Sequence, residues 1–123
     1  MSFLGQVRKK ALQANRRIVL PESSDERVIR AAAQILKEGL AQVILVGNHE
    51  AIMHSAKAYE VSLSGVKIVD PYNFGRLNDY INKLVELRAK KGMTPEEAKK
   101  LLQTDPNFFG AMLVKMGDAD GMV

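Results

Sequence analysis

No cysteine occurs in these 123 residues, which excludes a disulfide frame, a thiolate metal site and a cysteine nucleophile, and fits a reducing compartment. No apolar stretch approaches the roughly 20 residues that a membrane span requires. The N-terminal MSFLGQVRKKALQANRR has basic residues after its apolar ones and no long apolar core with a small-residue cleavage site, so neither secretion nor insertion is expected and a cytoplasmic location is. Aromatic residues amount to only 6%, and no helix-turn-helix, RNP or zinc-knuckle pattern is present, which argues against nucleic acid as a partner. Also missing are G-x-x-x-x-G-K-[ST], G-x-G-x-x-G and G-x-S-x-G, hence any sign of a P-loop kinase, a dinucleotide-binding turn or a hydrolase nucleophile elbow.

What is present reads as one globular domain: 46% hydrophobic and 26% charged residues in a chain long enough to bury a core. Lys and Arg number 18 against 14 Asp and Glu, with Arg8, Lys9, Lys10, Arg16, Arg17, Arg27 and Arg30 all in the first quarter of the chain. They alternate with apolar residues, so they imply a solvated basic helix face or attraction for a small polyanion such as a phosphate-bearing cofactor.

Phe3, Leu4, Val7 and Ala11 recur at helical spacing, predicting a helix over about residues 2–14. Ile18, Val19 and Leu20 then form a short apolar strand ended by Pro21, which lacks the N–H that a continuing ladder would use. Ser23 and Glu26 match an S-x-x-E capping box, predicting a helix from Ser24 to about Glu38 with Gly39 as its left-handed cap. Val43 to Val46 is an unbroken apolar run, the pattern of a strand covered on both faces, and Val66 to Val69 supplies a third. Strands alternating with helices imply a parallel sheet in a three-layer α/β domain. Further helices are expected after Gly47-Asn48 and over Asn78 to Lys91, Thr94 or Pro95 to Gln103, and Asn107 to Lys115, the last with Phe108, Phe109, Met112, Leu113 and Met116 as its buried stripe. Ala119 to Val123 has the look of a strand just beginning, so the chain is expected to be an N-terminal fragment of a longer protein.

Three residues stand out as ligand-binding candidates. The first turn of the Ser23-capped helix, with free N–H groups, a positive dipole end and Arg27 nearby, suits a phosphate or carboxylate, although the same residues serve equally well as a cap. Arg88 falls within the apolar face made by Tyr80, Ile81, Leu84, Val85 and Leu87, where a guanidinium either pairs internally or clamps a phosphate with its planar fork of donors. Asp118-x-Asp120-Gly121 opens like a calcium loop but lacks the remaining ligands, and His49 and His54 are five apart, so no metal site is expected.

The segments LPESSDER, AAAQILKEGLAQVILVGN, KIVDP, ELRAKKGMT and GDADGMV, in this order and spacing over nearly the whole chain, resemble the N-terminal part of the phosphate acetyltransferase and phosphate butyryltransferase family. The same order is similar to the acetyltransferase-related domain appended to some bacterial malic enzymes. The resemblance implies a fold similar to isocitrate and isopropylmalate dehydrogenases, with two α/β domains flanking a cleft. It implies transfer of an acetyl group between coenzyme A and inorganic phosphate, with acetyl-CoA, phosphate and acetyl phosphate as ligands, no permanently bound cofactor, no metal, and a homodimer. The arginine of the matching ELR segment, Arg88 here, is associated in that family with coenzyme A, and Arg27 and Ser23 are the further binding candidates. The catalytic serine, arginine and aspartate of such enzymes lie in later motifs that nothing here matches, so this chain alone is expected to be inactive. The rival readings are phosphate butyryltransferase and a non-catalytic α/β module that binds an anion or a partner, such as an appended regulatory domain.

Overall fold

A strand with no polar alternation must be covered on both faces, and that requirement organises this molecule. The computed structural model describes residues 2–14 and 17–123; Arg16 lies outside the described residues. The elements run α1 (Phe3–Ala14), β1 (Arg17–Leu20), α2 (Glu26–Glu38), β2 (Gln42–Val46), α3 (His49–Ala58), β3 (Lys67–Val69), α4 (Leu77–Leu87), α5 (Pro95–Thr104), α6 (Pro106–Lys115) and β4 (Gly121–Met122), with short 3-10 turns at Pro71–Asn73 and Ala89–Lys91. The four strands form one sheet in the order β3-β2-β1-β4. All pairs are parallel, with Ile18 beside Val43, Ile44 beside Lys67 and Ile18 beside Gly121.

Because side chains alternate across a strand, each apolar run serves two cores. Ile18, Leu20, Val43 and Leu45 pack with Val7 and Ala11 of α1, Ile29 and Ile35 of α2, and Ile52 of α3. Val19, Ile44 and Val46 pack on the opposite face with Tyr80 and Leu84 of α4, Leu102 of α5, and Phe109 and Leu113 of α6. All seven strand residues are buried. At about 1.5–3 kcal/mol for each fully buried aliphatic side chain, their burial outweighs surface ion pairs worth about 0–1 kcal/mol each. No helix among the described residues is long and apolar enough to cross a membrane.

Two helix boundaries depart from the sequence reading. Helix α2 starts at Glu26, not Ser24, and its cap is Asp25, whose carboxylate accepts the Arg27 N–H at 2.8 Å. The expected Ser23–Glu26 capping box does not form. Ser23 is still within the turn that leaves β1 and donates its hydroxyl to the Val46 carbonyl at 2.5 Å, while Glu26 accepts from Arg30 Nε at 2.7 Å. Helix α4 likewise stops at Leu87, short of Lys91: Arg88 leaves helical geometry at φ −115°, ψ 23°, and a 3-10 turn follows, closed by Gly92 in the left-handed region at φ 70°. Leu87 faces solvent with 49% exposure, so the buried stripe is Tyr80, Ile81 and Leu84. Phe108 is half-buried at the edge of its core, beneath which Phe109, Met112 and Leu113 are buried.

Short strand β4 is held by more than its ladder. Arg17 binds Asp120 through both its backbone N–H at 2.9 Å and its guanidinium, with Nε at 3.0 Å. Asp118 accepts from Arg76 Nη1 at 2.6 Å and also from the Tyr80 hydroxyl. The two aspartates of the calcium-loop-like segment are thus turned to different arginines. Gly110 of α6 makes close approach possible here, since a Cβ on it would lie 2.9 Å from Met122 Sδ and 3.2 Å from Pro21 Cβ.

Burial pushes the Tyr80 hydroxyl pKa upward, and the neighbouring Asp118 carboxylate raises it further. The folded chain therefore retains a proton that an unfolded tyrosine releases above pH about 10, and stability present below that pH must be lost above it. Urea unfolding at pH 9 to pH 11.5 should show the wild type losing stability more steeply than Tyr80→Phe, by up to about 1.4 kcal/mol per pH unit. At neutral pH Tyr80→Phe should cost about 1.5–3 kcal/mol, the range for a hydrogen bond to a charged group. Parallel pH profiles for the two proteins would show that Tyr80 does not carry this dependence.

Candidate functional site

Parallel strands all point their carboxyl ends the same way, so the loops leaving β1, β2 and β3 gather at one end of the sheet, where ligands of open α/β sheets bind. There they enclose a crevice of about 810 Å³. It is lined by Glu22, Ser23 and Asp25 after β1, Gly47 and Asn48 after β2, Asp70 and Tyr72 after β3, and Gln103 and Asn107 from the α5–α6 junction.

Each loop is fixed locally. Asn48 caps α3 by accepting the Ala51 N–H at 2.9 Å, and Asp70 caps the turn after β3 by accepting the Tyr72 N–H at 2.9 Å. Gln103 Nε2 donates to the Pro71 carbonyl at 3.3 Å, and Asn107 Nδ2 donates to Glu22 at 2.9 Å. The Ser23 hydroxyl bridges the ends of β1 and β2. Gly47 permits that bridge: its φ of 148° suits a residue without a side chain, and a Cβ there would lie 2.7 Å from Ser23 Oγ.

The three residues singled out by sequence occupy different surroundings. Ser23 lines the crevice. Arg27 does not: its guanidinium donates to Asp25 at 2.8 Å and stands 5.9 Å from the Phe3 ring, on the outer side of α2. This ion pair holds the Asp25 carboxyl below the usual carboxylate range, chiefly through the Arg27 side chain and then through its backbone N–H. Asp25 therefore already supplies the negative charge that the α2 N-terminus attracts. Arg88 lies outside the crevice, half-buried, with its guanidinium 5.1 Å from the centroid of Phe108, the residue after Asn107. Its carbonyl accepts from Lys91 and Met93, which fixes its backbone.

Arg88 differs from the other described arginines in its pairing. Arg8, Arg17, Arg27, Arg30 and Arg76 each meet a carboxylate. Among the described residues Arg88 has an aromatic neighbour and no ion pair, which leaves its fork of donors open to an external anion. Sequence reasoning overlooked the crevice residues Asn48, Asp70, Tyr72, Gln103 and Asn107. Asn48 and Asp70 each follow a strand end as a capping residue type, and that was the signal available. The described residues contain no group of three or more His, Cys, Asp or Glu placed to hold a metal ion.

The chain matches the protein family described as "Phosphate acetyl/butaryl transferase" over residues 2–123. It is 49% identical over its whole length to a phosphate acetyltransferase of Acetivibrio thermocellus, covering 36% of that protein. It is 38% identical, again over its whole length, to one of Thermoanaerobacterium thermosaccharolyticum, covering 37%. A crystal structure of a phosphotransacetylase from Streptococcus pyogenes superposes with a TM-score of 0.82 at 41% identity, over 99% of this chain and 37% of that one. The chain thus spans little more than a third of the length of these relatives.

The Gly47–Ser23 contact predicts a coupled pair. Gly47→Ala should destabilise the protein by about 2–4 kcal/mol, combining backbone strain with loss of the Ser23 bridge. Ser23→Ala alone should cost about 1 kcal/mol, and in the Gly47→Ala background it should recover stability by removing the atom that the new methyl strikes. A double-mutant cycle from urea unfolding checks this, with a coupling of about 0.5–3 kcal/mol expected; strict additivity would mean that the two residues act separately.

Proposed function

We infer the function of this chain, which belongs to the phosphate acetyl/butaryl transferase family, to be that of one α/β domain in a longer two-domain acyltransferase. That enzyme moves an acetyl group between coenzyme A and inorganic phosphate: a phosphate oxygen attacks the thioester carbonyl, the carbon–sulfur bond breaks, and acetyl phosphate and CoA result. The whole-length similarity to phosphate acetyltransferases carries this reading. The family resemblance adds a homodimer in acetate metabolism that needs no metal, and the lack of cysteine and of nucleic-acid-binding patterns favours a cytoplasmic place and no nucleic-acid partner.

The part played by this chain is binding and orientation, with the groups that activate the thiol and stabilise the transition state lying in the remainder of the protein. Holding two charged substrates in attack geometry is itself a large share of catalysis, since it removes the entropy of bringing them together. Arg88 is the residue we assign to a phosphate of coenzyme A, because it is half-buried, fixed in backbone and without a carboxylate partner among the described residues. Its contact with Phe108 keeps the guanidinium plane in place, so fewer rotamers are lost when an anion arrives. Ser23 has a supporting place in the crevice wall. Arg27 is exposed enough to turn from Asp25 toward an incoming phosphate.

In the full-length enzyme, Arg88→Ala should weaken apparent affinity for CoA by roughly 10-fold to 150-fold, the equivalent of about 1.5–3 kcal/mol. Arg88→Lys should restore part of this, because a point charge cannot reproduce the planar fork. Thermal unfolding should change little, since no described carboxylate is stranded by the loss. A lowered unfolding temperature with unchanged CoA affinity would make Arg88 a structural residue. The 123-residue chain alone should form no acetyl phosphate from acetyl-CoA; turnover on the order of 10 per second would place the active site within it.

A further inference from the structure

A second recess, of about 620 Å³, lies on the α1–α3 side of the sheet, between α2 and the segment that carries the chain from α3 to β3. That segment is where the chain enters β3, at the opposite end of the sheet from the loops that form the crevice. Arg30, Gln34 and Lys37 of α2 face Ser62 and Ser64 across it, and no Asp or Glu lines it among the described residues. Ala33, Leu36 and Val61 complete the wall with apolar surface. Two cations, two hydroxyls and an apolar stretch between them make a groove for an anion that is partly hydrocarbon.

The donors here are open. Arg30 gives Nε to Glu26 at 2.7 Å, which leaves both terminal guanidinium nitrogens without a partner among the described residues. The same guanidinium stands 5.5 Å from the centroid of the Tyr59 ring, so an acid and a ring limit its rotamers before any ligand arrives. Glu38, the acid beside Lys37 in sequence, is taken by Arg8 at 2.6 Å and by Gln34 at 2.5 Å, and Lys37 makes no ion pair among the described residues. The Ser62 hydroxyl oxygen accepts the Ser64 N–H at 3.2 Å. That bond ties the two serines into one short turn and leaves the hydrogen of each hydroxyl to donate.

Arg30 and Lys37 are two helical turns apart, so they share one face of α2 with about 10.5 Å of axial rise between them. A hydrogen-bond length of about 2.8 Å at each end leaves about 5 Å between the anionic groups they would hold, and Ala33 and Leu36 fall between the two cations in sequence. A single anion meets one end of such a groove, whereas a dianion with a short hydrocarbon spacer meets both. We propose that the groove binds a short aliphatic dicarboxylate, one carboxylate on the terminal nitrogens of Arg30 and the other on Lys37, with Ser62 and Ser64 donating from the opposite wall and the methylenes against Ala33, Leu36 and Val61. The ligand bridges α2 to the α3–β3 segment, and no residue is shared between this groove and the crevice at the strand ends. The site goes beyond the acyl-transfer function and does not depend on it.

The test is NMR titration of the full-length protein with malonate, succinate, glutarate, adipate, acetate and inorganic phosphate, read at the resonances of Arg30, Lys37, Ser62 and Ser64. The diacids should shift these resonances saturably, with affinity highest at glutarate. Acetate and phosphate, which reach one end of the groove at a time, should act on them at least about 10-fold more weakly. Lys37→Gln and Arg30→Gln should each weaken glutarate binding by about 10-fold or more, and Ser62→Ala by about 2-fold to 10-fold. Lys57→Gln, on the exposed face of α3 outside the groove, should leave it unchanged. Because Arg30→Gln also releases Glu26, Lys37→Gln decides the matter, as it breaks no ion pair among the described residues. An unaffected Lys37→Gln variant, an equal loss on Lys57→Gln, acetate or phosphate matching glutarate at these resonances, or no saturable shift with any diacid would each overturn the proposal.

Discussion

Two-sided burial of β1 and β2 is the constraint on which the rest of the structure depends. Val19 and Ile44 face one helical layer while Ile18, Leu20, Val43 and Leu45 face the other, so neither layer can be removed without exposing a row of aliphatic side chains. Strands β1 and β2, covered on both faces and paired along both edges, have polar backbone available only where they end. The loops after β1, β2 and β3 are therefore where the chain places Ser23, Asn48 and Asp70, and caps and bridges at those positions satisfy the emerging backbone. The crevice follows from the burial of the sheet: a rigid apolar slab with polar loops collected at one end.

Charge is distributed with the same economy. Arginines spread over α1, β1, α2 and the start of α4 meet carboxylates, and the Arg8 pair, aided by the Gln34 amide, holds Glu38 below the usual carboxylate range. These exposed pairs contribute little to stability one at a time, but they neutralise locally five of the six described arginines. A net charge of +4 is therefore a poor guide to where an anion would bind. The informative feature is local, one half-buried guanidinium whose neighbour is a ring in place of an acid.

The sheet was legible in sequence because its signals are strong and redundant. The apolar runs at Ile18 to Leu20 and Val43 to Val46, the stop at Pro21, the left-handed Gly39 and the Thr94-Pro95-Glu96-Glu97 start each mark an element or boundary found in the structure, and the strands pair in parallel as expected. The α2 start was misread because Ser23 and Asp25 are both good capping residues. Only the three-dimensional position of the Val46 carbonyl decides which of them is drawn away. Leu87 and Arg88 were placed on one continuous helical face because periodicity carries no information on where a helix unwinds when the stop signal, Gly92, lies several residues later. The crevice itself was invisible, since Tyr72, Gln103 and Asn107 come together only through the docking of α5 and α6 beside the turn after β3.

The pairing of β4 has a consequence for the order in which this molecule assembles. Strands β1, β2 and β3 join neighbours separated by a single helix, whereas Arg17 and Asp120 meet across 103 residues. Relative to closing β1 on β2, that is about two doublings of loop length, or ~1.2 kcal/mol of additional chain entropy, and β4 contributes only Gly121 and Met122 to the ladder. Contact order then sets the sequence of events: a nucleus of β1, α2 and β2 is expected early, and the α4–α6 layer is expected to settle late, drawn in by Val19 and Ile44. The open face of that nucleus, apolar until α4–α6 covers it, is the surface through which a slowly folding population of this chain would aggregate.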